Sequence, residues 1–136
     1  MRILSTLAAA LALLLAGSAA MAGGYSGNWP LTVSHSEHAD GSYCLTLIDN
    51  GSLGWPHSGQ ASLTGADGDL PYGTFQVING SLVATIQSEG NSGQNAGLVF
   101  SASASNDTIT RGNFDEVYGG EELESGALKV GAKGGC

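Results

Sequence analysis

Two residues, Asn79-Gly80, constrain the fold more than any other feature of the chain. Asn-Gly is the preferred centre of a two-residue type I′ turn, whose twist suits a tight antiparallel hairpin. The surrounding residues 73–86 alternate apolar and polar side chains on both sides of it. Centred on that turn, Ile78 faces Ser81, Val77 faces Leu82 and Phe75 faces Ala84. Phe75, Val77, Leu82, Ala84 and Ile86 then share one face. Thr74, Gln76, Ser81, Thr85 and Gln87 share the other, along with Ile78 and Val83. A slip of one residue would turn the apolar set to solvent, so turn chemistry and alternation predict a single register.

The same grammar recurs along the chain. Leu98, Phe100, Ala102 and Ala104 alternate with Val99, Ser101, Ser103 and Ser105. Asn106-Asp107 then predicts a second hairpin over 98–111, with Ile109 returning opposite Ala104. A strand at 43–48 leaves through Asp49-Asn50-Gly51, and weaker strand patterns cover 31–34, 61–64, 113–118 and 127–130. Beyond residue 22 no stretch carries convincing helical apolar spacing. About eight short strands, each with one buried and one wet face, predict an all-β antiparallel meander closed into a small barrel, with a β-sandwich as the alternative. A membrane-spanning barrel needs strands of about 9–11 residues and an apolar outer band. The second face here is mostly Thr, Ser and Gln.

The one helical, apolar segment is the first. Arg2 precedes a ten-residue apolar core at 7–16, and Ala20-Met21-Ala22 places small residues before Gly23. That order is the signature of a cleaved secretory signal over residues 1–22, and a spanning helix would need about 20 apolar residues. The expected domain is therefore 23–136. Ser18 and Ala20 allow an alternative cut after Ala20. The destination is the periplasm or the extracellular space.

Without Arg2 three basic residues, Arg111, Lys129 and Lys133, stand against twelve acidic ones, a net charge of −9. Such a field argues against a nucleic-acid partner and against an anionic membrane surface. It suits cations or a basic protein. Cys44 and Cys136 remain, and export favours a bond between them over two free thiols.

Tyr25-Ser26-Gly27-Asn28-Trp29 resembles the opening strand of the calycin group, lipocalins in particular, whose pattern is an aromatic residue, then Gly, then Trp at alternate positions; avidin-type barrels share the Gly-x-Trp part. In that group the Trp closes one end of the barrel beneath a basic residue from the last strand. The resemblance implies that role for Gly27, Trp29 and Lys129. The match covers five residues, and Pro30 departs from the pattern because proline removes a ladder donor.

Other clusters admit two readings. His35, His38 and His57 are candidate metal ligands, but residues three apart on a strand point to opposite faces, and a polar connecting loop explains 35–40 equally well. Asp67-Gly68-Asp69 opens like a calcium loop without its later ligands. Asp115, Glu116, Glu121, Glu122 and Glu124 form either a solvated acidic loop or a contact for a basic partner. No nucleophile elbow, phosphate loop or dinucleotide fingerprint occurs. The sequence thus predicts an exported, non-catalytic barrel that takes a small or apolar ligand in its interior and needs no cofactor. The alternative is an acidic interaction module, such as an inhibitor of a basic secreted enzyme.

Overall fold

The computed structural model describes residues 24–35, 40–51, 56–65, 68–88, 96–118 and 121–136, with the backbone alone at His35, Glu122 and Leu123. The predicted export segment lies outside the described residues. Eight antiparallel strands follow one another: β1 (Gly27–His35), β2 (Gly41–Asp49), β3 (Ser58–Gly65), β4 (Tyr72–Ile78), β5 (Ser81–Gln87), β6 (Ala96–Ser105), β7 (Thr108–Tyr118) and β8 (Glu121–Val130). Each pairs with its sequence neighbour, and β8 pairs back with β1, from Leu31 opposite Val130 to His35 opposite Gly126. The sheet is a closed barrel, not a sandwich, and closure removes the free edges that an open sheet would leave.

Alternation sorts the side chains. Along β5 and β6, Leu82, Ala84, Ile86, Leu98, Phe100, Ala102 and Ala104 are buried, while Val83, Thr85, Ser101, Ser103 and Ser105 are exposed. Most interior positions are apolar, and the outer face is predominantly Thr, Ser, Gln and Asn. No helix among the described residues is long and apolar enough to cross a membrane.

The hairpin at Asn79-Gly80 has the register its turn chemistry dictates, from Ile78 opposite Ser81 to Tyr72 opposite Gln87. Asn79 and Gly80 take φ of 52° and 78°, the positive pair that a type I′ turn requires. Asn106 and Asp107 do likewise at 51° and 58°, and Ala104 faces Ile109.

Two segments differ from the sequence reading. The return strand of the second hairpin and the pattern at 113–118 are one strand, β7, which passes through Gly112 with a bulge beside Ala102. The acidic run is not a loop. Glu121, Glu122 and Glu124 lie in β8, paired with β7 across a second bulge at Glu116 and Val117. Charged residues have low strand propensity, but a neighbour with unpaired backbone groups overrides that preference.

The two ends of the barrel differ. The connections β2–β3, β4–β5 and β6–β7 and the segments flanking β1 and β8 gather at one end, here the floor. The connections β1–β2, β3–β4, β5–β6 and β7–β8 gather at the other, the mouth. Trp29, Phe75, Phe100 and Phe114 fill the interior between them, each at most 2 % exposed.

Candidate functional site

The floor is built around Trp29. Its indole N–H donates to the Tyr25 carbonyl at 3.0 Å, which folds residues 24–26 beneath the barrel. The ammonium of Lys133 lies 5.3 Å from the Trp29 ring centroid and donates to the Gly24 carbonyl at 2.6 Å. The Lys133 stem passes over Gly27, whose φ is +145° and where an added Cβ would stand 2.9 Å from Lys133 Cγ. Both the backbone angle and this close approach require glycine there. The cation over the indole is therefore Lys133. Lys129 follows inward-facing Leu128 on β8, so it points outward; it pairs with Thr32 and Arg111 and is exposed.

Lys133 reaches this position because the segment after β8 turns back over β1. The Gly131 N–H donates to the Pro30 carbonyl at 2.7 Å, and the Gly134 N–H to the Asn28 carbonyl at 2.7 Å. Pro30 stands where the β1–β8 ladder ends, so its missing donor interrupts little. Cys136 then arrives at Cys44 on the outer side of β2. The two sulfurs lie at disulfide distance, with Cα atoms 5.9 Å apart.

A buried carboxylate completes the floor. The Asp49 side chain is 2 % exposed. Its Oδ2 accepts from the Tyr25 N–H at 3.0 Å and lies 2.6 Å from His57 Nδ1, while Oδ1 accepts from the Gly51 N–H at 2.8 Å. A carboxylate only accepts, so the proton between them sits on Nδ1. The Tyr25 ring meets the His57 imidazole edge-on at 5.2 Å. Burial pushes the Tyr25 phenol above its ordinary value, the Asp107 backbone hydrogen bond draws it down, and the Asp107 and Asp49 carboxylates add to the rise.

An aspartate on a histidine is the orienting half of a nucleophilic triad. Here, however, the Ser26 hydroxyl accepts from the Asp49 N–H at 2.8 Å and is not on the imidazole. The arrangement ties three chain segments together. Replacing Asp49 with alanine orphans two N–H groups and the imidazole, and is expected to cost about 2–3 kcal/mol. A urea titration measures it, and a loss below about 0.5 kcal/mol would contradict this role.

Two of the three candidate histidines lie at opposite ends of the barrel. His57 is at the floor, whereas His35 ends β1 at the mouth and His38 lies outside the described residues. Among the described residues no group of three or more His, Cys, Asp or Glu side chains is placed to hold a metal ion. The Asp67-Gly68-Asp69 reading falls partly outside the described residues, since Asp67 is not among them.

The mouth holds a cavity of ≈ 390 Å³. Val33, Leu63, Leu70 and Leu98 give it apolar walls, with Tyr43 and Tyr118 beside them. The Tyr43 ring fits because Gly41 and Gly65 carry no side chain; an added Cβ at Gly65 would stand 2.4 Å from it. Glu116 lines the cavity and Asp69 stands exposed at its rim. Glu116 continues the inward series of Phe114, and on β8 Glu124 continues that of Leu128 and Gly126, so the two carboxylates face each other across β7–β8. Asp115 and Glu121 are exposed, and the Glu122 side chain is not described.

A second concavity, ≈ 690 Å³, lies on the outer face where β3 and β4 diverge beside Pro71. Outward-facing Thr46, Gln60, Thr74 and Thr85 line it. Sequence reasoning could not find the mouth cavity, because its walls come from five strands and from the β3–β4 and β5–β6 connections. Comparison with protein-family models, with curated proteins and with solved structures finds no match for this chain.

Proposed function

We propose that the protein is an exported, non-catalytic binding barrel whose ligand occupies the mouth. The observation that carries the reading is the apolar cavity at that end. Its size falls in the range of small-molecule sites, about 300–1,000 Å³, and its apolar walls with a few polar groups are the usual composition of such sites. The sequence pointed to the barrel interior; the packed aromatics at mid-barrel leave the mouth as the place for a small or apolar ligand. The pair Cys44 and Cys136 supports an oxidising destination, periplasmic or extracellular. Calycin-like ancestry rests on Gly27 and Trp29 at the floor, with Lys133 in place of a strand residue as the covering cation.

The interaction-module reading is weaker, because the acidic residues of 115–124 do not form one surface. Asp115 faces outward while Glu116 and Glu124 face inward.

The test uses Nile red, a neutral apolar dye. Saturable binding is expected. Ala96→Trp, placed in the cavity wall, is expected to weaken it at least about tenfold. Thr85→Trp, in the outer groove, is expected to leave it intact. Dye binding that ignores Ala96→Trp would overturn the mouth as the site.

A further inference from the structure

We infer that the outer concavity between β3 and β4 is a second binding site, separate from the mouth, and that it takes a neutral oligosaccharide. The concavity exists because the ladder breaks. β3 and β4 pair from Ser58 opposite Gln76 to Gln60 opposite Thr74, and next through the Leu63–Leu70 bridge. Between those contacts residues 61–62 on one side stand against residues 71–73 on the other. Pro71 has no N–H with which to bridge the mismatch. The strands part there, leaving an opening of ≈ 690 Å³. Register sets outward side chains around it in two rows. Ile48, Gln60, Thr74 and Thr85 are successive neighbours from β2 to β5. The pairs Thr46–Ser62 and Tyr72–Gln87 form the second row, two residues further along each strand. Adjacent strands lie about 4.8 Å apart, so four of them span about 14 Å, the length of about three linked sugar rings.

The chemistry of the lining selects the ligand. Among the described residues no charged side chain lines the opening, in a chain with twelve acidic residues. An ionic ligand therefore finds no counter-charge there, and a phosphate finds no arginine or lysine. The groups that are present give and receive hydrogen bonds. None of the described residues supplies a hydrogen-bond partner to the exposed side chains of Gln60, Thr74, Thr85 or Gln87, which leaves them facing water or a ligand. Amides and hydroxyls both donate and accept, as the hydroxyls of a sugar do. A purely apolar ligand would strip water from them with no return. A second, independent feature is apolar. Two of the five large apolar side chains that stand exposed among the described residues, Ile48 and Tyr72, line this one opening. A sugar ring carries C–H groups on its faces and hydroxyls at its rim. The phenol ring of Tyr72, 52 % exposed, can stack on those C–H groups through its negative face while amides and hydroxyls meet the rim. Rings whose substituents are all equatorial have the flattest C–H faces, so β-linked glucose is the favoured unit.

The experiment titrates the oxidised protein calorimetrically at neutral pH with cellotriose, a neutral trimer of β-linked glucose, and with the matching trimer of glucuronate. Cellotriose is expected to bind with a Kd of about 0.1–1 mM, and the anionic trimer at least about tenfold more weakly. Raising salt from about 20 mM to about 500 mM is expected to leave cellotriose binding unchanged, because no charge takes part. Tyr72→Ala, at an exposed position outside the core, is expected to weaken cellotriose at least about tenfold. Ile78→Ala, equally exposed at the far end of β4, is expected to change nothing. Nile red at the mouth is expected to stay bound when cellotriose saturates the protein. Absence of cellotriose binding overturns the inference, as does binding that Tyr72→Ala leaves intact. Displacement of the dye would put the sugar in the mouth and overturn it too. Failure of Nile red alone overturns the mouth reading and leaves the groove standing.

Discussion

Replacing Trp29 with alanine is expected to remove about 3–5 kcal/mol of stability, the usual cost of truncating a fully buried tryptophan. Three losses combine. The ring is 1 % exposed, so its apolar area and its contacts with the surrounding interior go together. The Tyr25 carbonyl loses the indole N–H that folds residues 24–26 under the barrel. The Lys133 ammonium loses the ring beneath it, worth about 0.5–1 kcal/mol at a site open to water on one side. Small domains hold about 5–15 kcal/mol in total, so this change consumes a large share of it. Urea unfolding followed by circular dichroism is the measurement. Trp29→Phe, which keeps an aromatic ring and drops the N–H, is expected to fall between the two. A loss below about 1 kcal/mol for alanine would mean that the floor does not depend on this ring.

What the sequence made legible was local. The hairpins at Asn79-Gly80 and Asn106-Asp107 are written in adjacent residues, because a positive-φ pair and the alternation beside it fix turn and register together. Strand β7 was read in two pieces because Gly112 interrupts the alternation, and only pairing with β6 and β8 carries the strand through it. The first half of β8 was legible as charge and not as strand, since its three glutamates argue against a sheet and its partner on β7 argues for one. In the sequence Asp49 reads as turn chemistry and His57 as a candidate metal ligand. Their contact depends on how the β2–β3 connection returns over residues 24–26, which no short window of sequence contains. The same holds for Lys133. A resemblance to barrels whose covering cation sits on the last strand points to Lys129, but strand alternation turns Lys129 outward. The folded-back segment beyond β8 supplies the cation instead.

Removing the Cys44–Cys136 bond is expected to lower stability by about 4 kcal/mol, on the chain-entropy scale for a loop of this length. The two residues are 92 apart, so the bond restricts most of the unfolded chain. In the folded state it anchors a strap. Residues 131–136 cross the outer side of β1, held by the Gly131 and Gly134 N–H groups on Pro30 and Asn28, and end on β2. The strap thus spans the β8–β1 seam, where the barrel closes, and carries Lys133 to the floor. Cys44→Ser with Cys136→Ser is expected to lower Tm by roughly 15 °C, given about 4 °C per kcal/mol for a domain near this size. If the strap acts as a unit, Lys133→Ala should cost less in the bond-free protein than in the oxidised one, because a freed strap already leaves Trp29 partly uncovered. A double-mutant cycle measures that coupling, which for residues sharing one structural element runs about 0.5–3 kcal/mol. Strict additivity would mean that the backbone bonds to Pro30 and Asn28 hold Lys133 in place alone. The disulfide would then act only on the unfolded chain.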